Sequence, residues 1–226
     1  MTICFTNSFI DTCSSTNDEA KRLSPYSVIC TKRQTKGRGR TGRSWYDGDG
    51  NLMASIVLPK EKNAYLYSFL ISLAVAKSID FLSPVIKWPN DILVKGKKIC
   101  GILLETTEDK LIIGIGLNIQ NHPTKDLLYE TTDIKEQGYF FTREKLLQDI
   151  LQNFLFMINL YKQKGFEQIR TEWLSLACGL GKEIEVRLPH ASLFGIFEGI
   201  DSNGMLILTD KQDNKHFISA GDVFLI

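Results

Sequence analysis

Residues 85–119, VIKWPNDILVKGKKICGILLETTEDKLIIGIGLNI, alternate apolar runs with short polar breaks. The breaks at residues 95–97 and 106–110 hold the glycine and polar residues that favour turns. Strands joined by such short connections pair with their sequence neighbours in antiparallel fashion. This stretch therefore predicts an antiparallel meander. It argues against a doubly wound fold, in which helices would separate the strands.

Segments with helical periodicity lie before and after this meander in the sequence. Apolar residues recur at helical spacing over residues 63–80, 142–162 and 166–178, which predicts three core helices. Long helices combined with an antiparallel sheet are typical of an α+β domain.

The chain before these helices predicts shorter elements. Thr16-x-x-Glu19 predicts a capping box that opens a short helix ending near Leu23. Apolar runs at residues 26–31 and 51–58 predict buried strands.

The sequence texture changes after Gly179 and Gly181. Residues 180–226 hold short apolar runs, with Asn203-Gly204 as a hairpin turn. About 45 residues of short strands predict a small barrel. We therefore expect a main domain over residues 1–179 and a small β domain over residues 180–226.

Composition limits the class of protein. The chain has 226 residues, of which 43% are hydrophobic and 23% charged, so it can bury a core and is neither disordered nor collagenous. The net charge of +1 lacks the positive excess of a general nucleic-acid coat, so any basic site must be local. Five cysteines without a C-x-x-C pair indicate neither a disulfide framework nor a zinc ribbon.

Targeting and metal-binding signals are missing from the sequence. Residues 1–13 lack a basic and a long apolar region, and no apolar run is long enough for a membrane span. The three histidines lie far apart, which argues against a His-based metal site. We expect a cytoplasmic protein without membrane contact.

Residues 37–45, GRGRTGRSW, form the most unusual segment. Six cations and no acid lie between Lys32 and Arg43, and residues 36–50 contain five glycines. Guanidinium groups fit phosphate and carboxylate oxygens. Composition alone leaves open a small-molecule phosphate site and a solvated or nucleic-acid-binding loop. Because the loop has almost nothing apolar to bury, we expect it to be mobile without ligand.

Residues 87–91, KWPND, are compatible with a simple turn, because Pro and Asn-Asp favour turns. Lys98, however, follows the next turn, so the hairpin returns an ammonium to the sheet end where Asn90 and Asp91 emerge. A cation and a carboxylate at one sheet end suit a metal–phosphate substrate.

Gly114-x-Gly116-x-Asn118 fails the dinucleotide fingerprint G-x-G-x-x-G. Its glycines either leave space where another part of the chain or a ligand crosses the strand, or they take part in binding. Both explanations stay open at this point.

The order of GRGRTGRSW, KWPNDILV, KICGILLE and GIGLNI, followed by a β-rich tail, closely resembles biotin protein ligases of the group without an N-terminal DNA-binding domain. The resemblance implies a catalytic domain with the class II aminoacyl-tRNA-synthetase-like α+β fold and an SH3-like C-terminal barrel. It implies that biotin and ATP form biotinyl-5′-AMP with Mg²⁺, and that biotin passes to one lysine of a carboxylase carrier domain. It implies no DNA binding, and a monomer or homodimer.

The resemblance also implies roles for individual residues. Lys98, Arg40 and Asp91 are implied to be catalytic, Asp91 also as a ligand of the Mg²⁺ carried by ATP. Trp45 is implied to pack near the adenine. Residues implied at biotin are Ser15, Thr16, Asn17, Gln34, Gly37, Arg38, Gly39, Arg40, Lys98 and Gly101. Residues implied at ATP are Arg38, Arg40, Trp45, Lys87, Asn90, Asp91 and Asn118.

Two departures from the family pattern stand out. Position 41 is Thr where many members have Arg, and the tail has no clear counterpart of the family's nucleotide-facing residues. Lipoate–protein ligases share the implied fold and reaction type, but their arginine-serine-glycine-rich loop signature is absent here.

Overall fold

A mixed sheet and four helices form the larger part of the chain in a computed structural model, which describes residues 3–125 and 128–226. The strands of the sheet are β1 (Thr6–Cys13), β2 (Ser27–Gln34), β3 (Leu52–Pro59), β4 (Val85–Lys87), β5 (Asp91–Val94), β6 (Lys97–Thr106) and β7 (Lys110–Leu117). The helices are α1 (Thr16–Ala20), α2 (Tyr67–Ser78), α3 (Arg143–Lys164) and α4 (Phe166–Ser175).

The sheet has the order β1-β2-β3-β7-β6-β5-β4. Only β1 and β2 pair in parallel, and the other neighbours are antiparallel. The meander from β4 to β7 and the α+β class are therefore confirmed. The register places Gly101 of β6 opposite both Gly116 of β7 and Asp91 of β5, so two glycines and a carboxylate lie side by side in the sheet.

The two faces of the sheet are covered differently. Helices α2, α3 and α4 pack on one face, where Phe69 and Trp173 meet edge to face at 5.3 Å and Tyr67 meets Phe154 at 6.3 Å. Of the helices in the described chain, α1 alone packs on the other face, against a small cluster that includes Ile29. The rest of that face is left for loops and a cavity.

The start of α1 differs from the sequence prediction. Ser15 is the N-cap residue, no side chain caps the helix, and the helix ends at Ala20. The Thr16 hydroxyl instead donates to Oε1 of Gln34 at the end of β2, at 3.1 Å. The predicted capping box is therefore wrong, because a tertiary hydrogen bond takes the side chain that would have capped the helix.

Five antiparallel strands form the C-terminal part in the order β11-β10-β9-β8-β12, which confirms the SH3-like prediction. They are β8 (Glu183–Arg187), β9 (Ser192–Ile200), β10 (Leu206–Thr209), β11 (Lys215–Ile218) and β12 (Asp222–Leu225). This barrel shares one apolar core with the main domain. The Trp88 indole N–H donates to the Gly204 carbonyl at 3.1 Å, and the Arg170 guanidinium to that of Ile200 at 3.0 Å.

Candidate functional site

A cavity opens on the α1 face of the sheet, between the glycine–arginine loop (residues 36–50) and the barrel. Its volume is about 120 Å³, which is smaller than the roughly 300–1,000 Å³ typical of sites for drug-sized ligands. Most of the predicted site residues line it: Ser15, Thr16, Asn17, Gln34, Arg38, Gly39, Arg40, Trp45, Asn90, Asp91, Lys98 and Gly101.

One end of the cavity is a neutral, buried hydrogen-bonded pocket. The Thr16 backbone N–H donates to Oε1 of Gln34 at 2.7 Å. The Ser55 hydroxyl lies 2.6 Å from Oδ1 of Asn17 and 2.8 Å from the Thr16 hydroxyl. Because these side chains are buried and fixed by one another, they present a preorganised set of donors and acceptors. Ser55 is absent from the sequence prediction.

Two acids hold the first arginine of the loop. The Arg38 guanidinium donates to both carboxylate oxygens of Asp18, at 2.5 and 2.9 Å, and to Glu105 at 3.4 Å. Hydrogen bonds from Arg38 and Lys21 hold the pKa of Asp18 well below its usual range, and the bond to Asp18 raises the pKa of Arg38. Glu105 also accepts from Nδ2 of Asn17 at 2.8 Å. Sequence reasoning missed both acids.

The glycines of β6 and β7 make room for two side chains of the site. A Cβ at Gly116 would lie 2.2 Å from the Trp45 ring, and a Cβ at Gly101 would lie 2.8 Å from the same ring. A Cβ at Gly114 would lie 2.5 Å from Oδ1 of Asn17. The structure thus explains the Gly114-x-Gly116 pattern as the crossing of side chains over a thinned strand. The Trp45 ring therefore packs against Gly101 and Gly116 and lines the cavity.

A carboxylate between two lysines forms the charged end of the cavity. Lys98 Nζ lies 2.7 Å from Oδ1 of Asp91, and Lys87 Nζ lies 3.8 Å from Oδ2. Lys98 Nζ is also 5.6 Å from the centre of the Trp45 ring. The hairpin therefore brings Lys98 to Asp91, as its spacing predicts.

Lys87 lies on the far side of this carboxylate from the cavity, next to aromatic rings. Its Nζ is 3.3 Å from the centre of the Tyr129 ring, which stacks on Phe224 of the barrel at 5.0 Å. The Arg187 guanidinium covers Phe224 at 3.9 Å. Burial lowers the pKa of Lys87 to about 8, although the charge of Asp91 opposes that shift. Lys87 is thus a cation that can lose its proton in the mildly alkaline range.

The glycine–arginine loop closes against the barrel. Arg40 donates to Oδ1 of Asn90 at 3.1 Å and to the Gly221 carbonyl at 3.5 Å. Arg43 forms an ion pair with Asp222. Although burial raises the pKa of Asp222, the hydrogen bond and charge of Arg43 bring it below its usual value. The barrel therefore forms one wall of the cavity; the change in loop mobility on binding stays a prediction.

Three predicted residues do not line the cavity. Gly37 lies at the base of the loop, where its carbonyl accepts from the Trp45 N–H at 3.0 Å. Lys87 lies behind Asp91, and Asn118 is buried beside β7, where its Nδ2 donates to the Thr132 carbonyl at 3.0 Å. Their roles in binding biotin or ATP stay predictions.

Acids neutralise most of the cations of the loop region. Besides Arg38 and Arg43, Lys32 lies 2.7 Å from Asp11, and Arg33 lies 3.5 Å from Asp47. Such pairing lowers the net positive charge that a nucleic-acid-binding patch needs, and a phosphate that binds Arg38 has to compete with Asp18 and Glu105. Within residues 3–125 and 128–226, no helix is long and apolar enough to cross a membrane.

Comparisons with known proteins agree with this geometry. Residues 4–119 match the biotin/lipoate A/B protein ligase family, and residues 179–226 match the biotin protein ligase C-terminal domain. The chain is 33% identical to the biotin–[acetyl-CoA-carboxylase] ligase of Paracoccus denitrificans, over 93% of this chain and 96% of that protein. The chain belongs to the biotin protein ligase family.

Other biotin protein ligases show the same similarity. The bifunctional ligase/repressor BirA of Bacillus subtilis is 35% identical over 85% of this chain, which spans 64% of that protein. The structure of the Aquifex aeolicus biotin protein ligase in complex with biotin and ATP superposes with a TM-score of 0.89, at 25% identity, over 97% of this chain and 99% of that one. The resemblance in the sequence and the fold it implies are thereby confirmed.

Proposed function

We propose that this protein activates biotin with ATP to biotinyl-5′-AMP and transfers the biotinyl group to one lysine of a biotin carboxyl carrier domain. The observation that carries the proposal is a cavity with a neutral polar pocket at one end and cations at the other, in a member of this family. A neutral ureido ring fits the first end, and a carboxylate meeting a phosphate fits the second.

The polar pocket is proposed to bind the biotin ring. Its groups from Ser15, Thr16, Asn17 and Gln34 are uncharged and buried, so they can pair with a ureido group without the desolvation cost of a charge. The Trp45 ring covers Gly101 and Gly116. We infer that the aliphatic chain of biotin passes along this part of the sheet, because an apolar surface there leads from the pocket to Lys98.

Adenylate formation joins two negatively charged reactants. A carboxylate oxygen of biotin attacks the α-phosphorus of ATP, the bond from that phosphorus to the bridging oxygen breaks, and pyrophosphate leaves. Lys98, Arg38 and Arg40 are proposed to reduce the repulsion and to stabilise the charge that develops on the phosphoryl oxygens. Holding two reactants in one cavity in the right geometry can supply roughly 7–11 kcal/mol of barrier reduction.

Asp91 is proposed to orient Lys98 and to contribute to a Mg²⁺ site. The described residues contain no group of three or more His, Cys, Asp or Glu side chains placed to hold a metal ion, and both Asp91 oxygens face lysines. Because ammonium groups already engage both oxygens, this single carboxylate fits at most a Mg²⁺ ion that arrives on ATP and is held by phosphate oxygens. Such an ion would neutralise charge on the phosphates.

Transfer of biotin completes the proposed reaction. The neutral Nζ of the acceptor lysine attacks the carbonyl carbon of biotinyl-5′-AMP, the bond from that carbon to the phosphate oxygen breaks, and AMP leaves. The closed loop is proposed to keep water away from the anhydride until the carrier domain arrives. We place the reaction in the cytoplasm, in agreement with five cysteines that are all free thiols.

Exchange of labelled pyrophosphate into ATP tests the proposal. We expect exchange that requires Mg²⁺ and biotin, together with biotinylation of an added carrier domain. Exchange that is independent of biotin overturns the assignment. Exchange supported by lipoate in place of biotin would assign the protein to lipoate–protein ligases, and salt-sensitive nucleic-acid binding without AMP formation would assign it to nucleic-acid binders.

A further inference from the structure

Asn51 is a fully buried side chain just before β3. Its Oδ1 accepts hydrogen bonds from three consecutive backbone N–H groups, those of Ile119 at 2.8 Å, Gln120 at 3.0 Å and Asn121 at 3.4 Å. Its Nδ2 donates to the Asn121 carbonyl at 2.8 Å. One amide thus satisfies donors and an acceptor of the segment that follows β7.

Two glycines of the glycine–arginine loop, Gly48 and Gly50, also pack tightly against this segment. A Cβ at Gly48 would lie 1.9 Å from Oδ1 of Asn121 and 2.4 Å from Nδ2 of Asn51. Gly50 has a φ of +80°, and a Cβ there would lie 2.4 Å from the Gln120 side chain. The end of the loop and the segment after β7 therefore fit together only because the loop has glycine at both positions.

Both joined segments lead into the proposed site. The glycine–arginine loop carries the arginines and Trp45. Further along the chain, residues 128–132 lie beside Lys98, whose backbone N–H donates to the Glu130 carbonyl at 2.7 Å and whose carbonyl accepts from the Thr132 N–H at 3.0 Å. The same segment places Tyr129 over the Lys87 ammonium.

We propose that Asn51 is a positioning residue that fixes the end of the glycine–arginine loop against residues 119–121, and so holds the arginines and Trp45 of that loop in place at the proposed site. This rests on the proposed function and extends it, since Asn51 does not line the cavity. An Asn side chain is suited to the position because it offers a carbonyl oxygen and an N–H₂ group together. Without it, three backbone donors lose their acceptor.

The proposal separates nucleotide binding from biotin binding. The polar pocket is held mainly by contacts among Thr16, Gln34 and Ser55, although Asp47 of the loop accepts from the Gln34 N–H at 2.9 Å. Loss of the Asn51 contacts should therefore loosen the phosphate and adenine side of the cavity more than the biotin ring pocket.

Two substitutions at this position provide the test. Asn51→Ala is expected to raise the KM for ATP and the dissociation rate of biotinyl-5′-AMP, each about tenfold. The Kd for biotin without nucleotide should change less than the KM for ATP. Asn51→Asp keeps an oxygen acceptor for the three N–H groups, but it sets a carboxylate oxygen against the Asn121 carbonyl at a fully buried site, so it should also raise the KM for ATP. Amide hydrogen exchange at Ile119 and Gln120 should accelerate in Asn51→Ala only.

A stability-matched control distinguishes positioning from general damage. Leu151→Ala removes a buried side chain from α3, away from both loops, and should lower the Tm without changing the KM for ATP. The proposal is overturned if Asn51→Ala raises that KM no more than Leu151→Ala does. A wild-type protein that fails to adenylate biotin overturns the proposed function instead.

Discussion

The Arg43 guanidinium of the glycine–arginine loop forms a two-point ion pair with the carboxylate of Asp222, the first residue of the last barrel strand. The two residues are 179 positions apart in the sequence. Both side chains are half-buried, so water screens the pair only in part. Because the neighbouring Arg40 reaches the Gly221 carbonyl, this short stretch of the barrel holds the loop over the cavity.

Asp222→Asn should loosen the closed loop while leaving adenylation intact. It removes one charge of a pair worth about 1 kcal/mol or less at a partly exposed site, so adenylate release should accelerate roughly threefold to fivefold. Biotin captured by a bystander protein such as albumin should rise in parallel. The control is Glu198→Gln, which breaks a barrel ion pair with Lys215 far from the loop. Equal release from both variants would contradict a holding role for Asp222.

Arg40→Gly should still allow biotinyl-5′-AMP to form but should release it roughly tenfold faster, as expected when a charge-assisted hydrogen bond is lost. The measurement is biotin on albumin alongside the adenylate dissociation rate. Thr41→Gly is the matched control, because it adds backbone freedom at the adjacent position without removing a cation. Thr41 has a φ of +52°, which glycine adopts readily. If Thr41→Gly labels albumin as strongly, flexibility and not charge controls retention.

Lys98→Ala should lower the single-turnover rate of adenylation by about 10²–10³, the cost of removing a donor that stabilises developing charge. The Tm should fall modestly, because buried Asp91 loses its 2.7 Å partner but keeps Lys87 at 3.8 Å. Lys97→Ala is the control at the neighbouring position, where Nζ lies 3.8 Å from Glu130 at the surface. Near wild-type adenylation by Lys98→Ala would remove Lys98 from the proposed mechanism.

The value of kcat/KM for ATP should fall as the pH rises through about 8, because Lys87, with a pKa of about 8, loses a positive charge that lies behind Asp91 and adds to the potential at the proposed phosphate end. Lys87→Arg should abolish this alkaline decline, since a guanidinium keeps its charge. A decline that persists in Lys87→Arg would assign the titration to another group.

The same pKa shift predicts a stability effect with a defined sign. The folded-state pKa lies below the ordinary value of 10.5, so the unfolded chain binds more protons between these values. The contribution of Lys87 to the free energy of unfolding should therefore rise from about pH 8 to pH 10.5. Urea unfolding of wild type and Lys87→Met at several pH values measures it. A difference between them that does not change with pH would contradict the shift.

Local patterns predicted most of the secondary structure. The meander, the core helices and the barrel strands follow from periodicity and turn residues, which act over a few positions of the chain. The sequence did not predict β1, because it is an edge strand whose side chains are mostly exposed on both faces. Phe9, for example, is 52% exposed. The hydrophobic pattern of β1 therefore has no period for sequence reasoning to detect.

The sequence by itself determined the chemistry of the site: a flexible cationic loop, a lysine returned to an Asn-Asp turn, and a set of neutral polar side chains. Only the tertiary structure decided how those groups are held. Arg38 finds Asp18 and Glu105 at separations of 20 and 67 residues, and Asn51 reaches Ile119 across 68. Local periodicity cannot predict such partners, because the fold of the chain, and not their spacing in the sequence, brings them together.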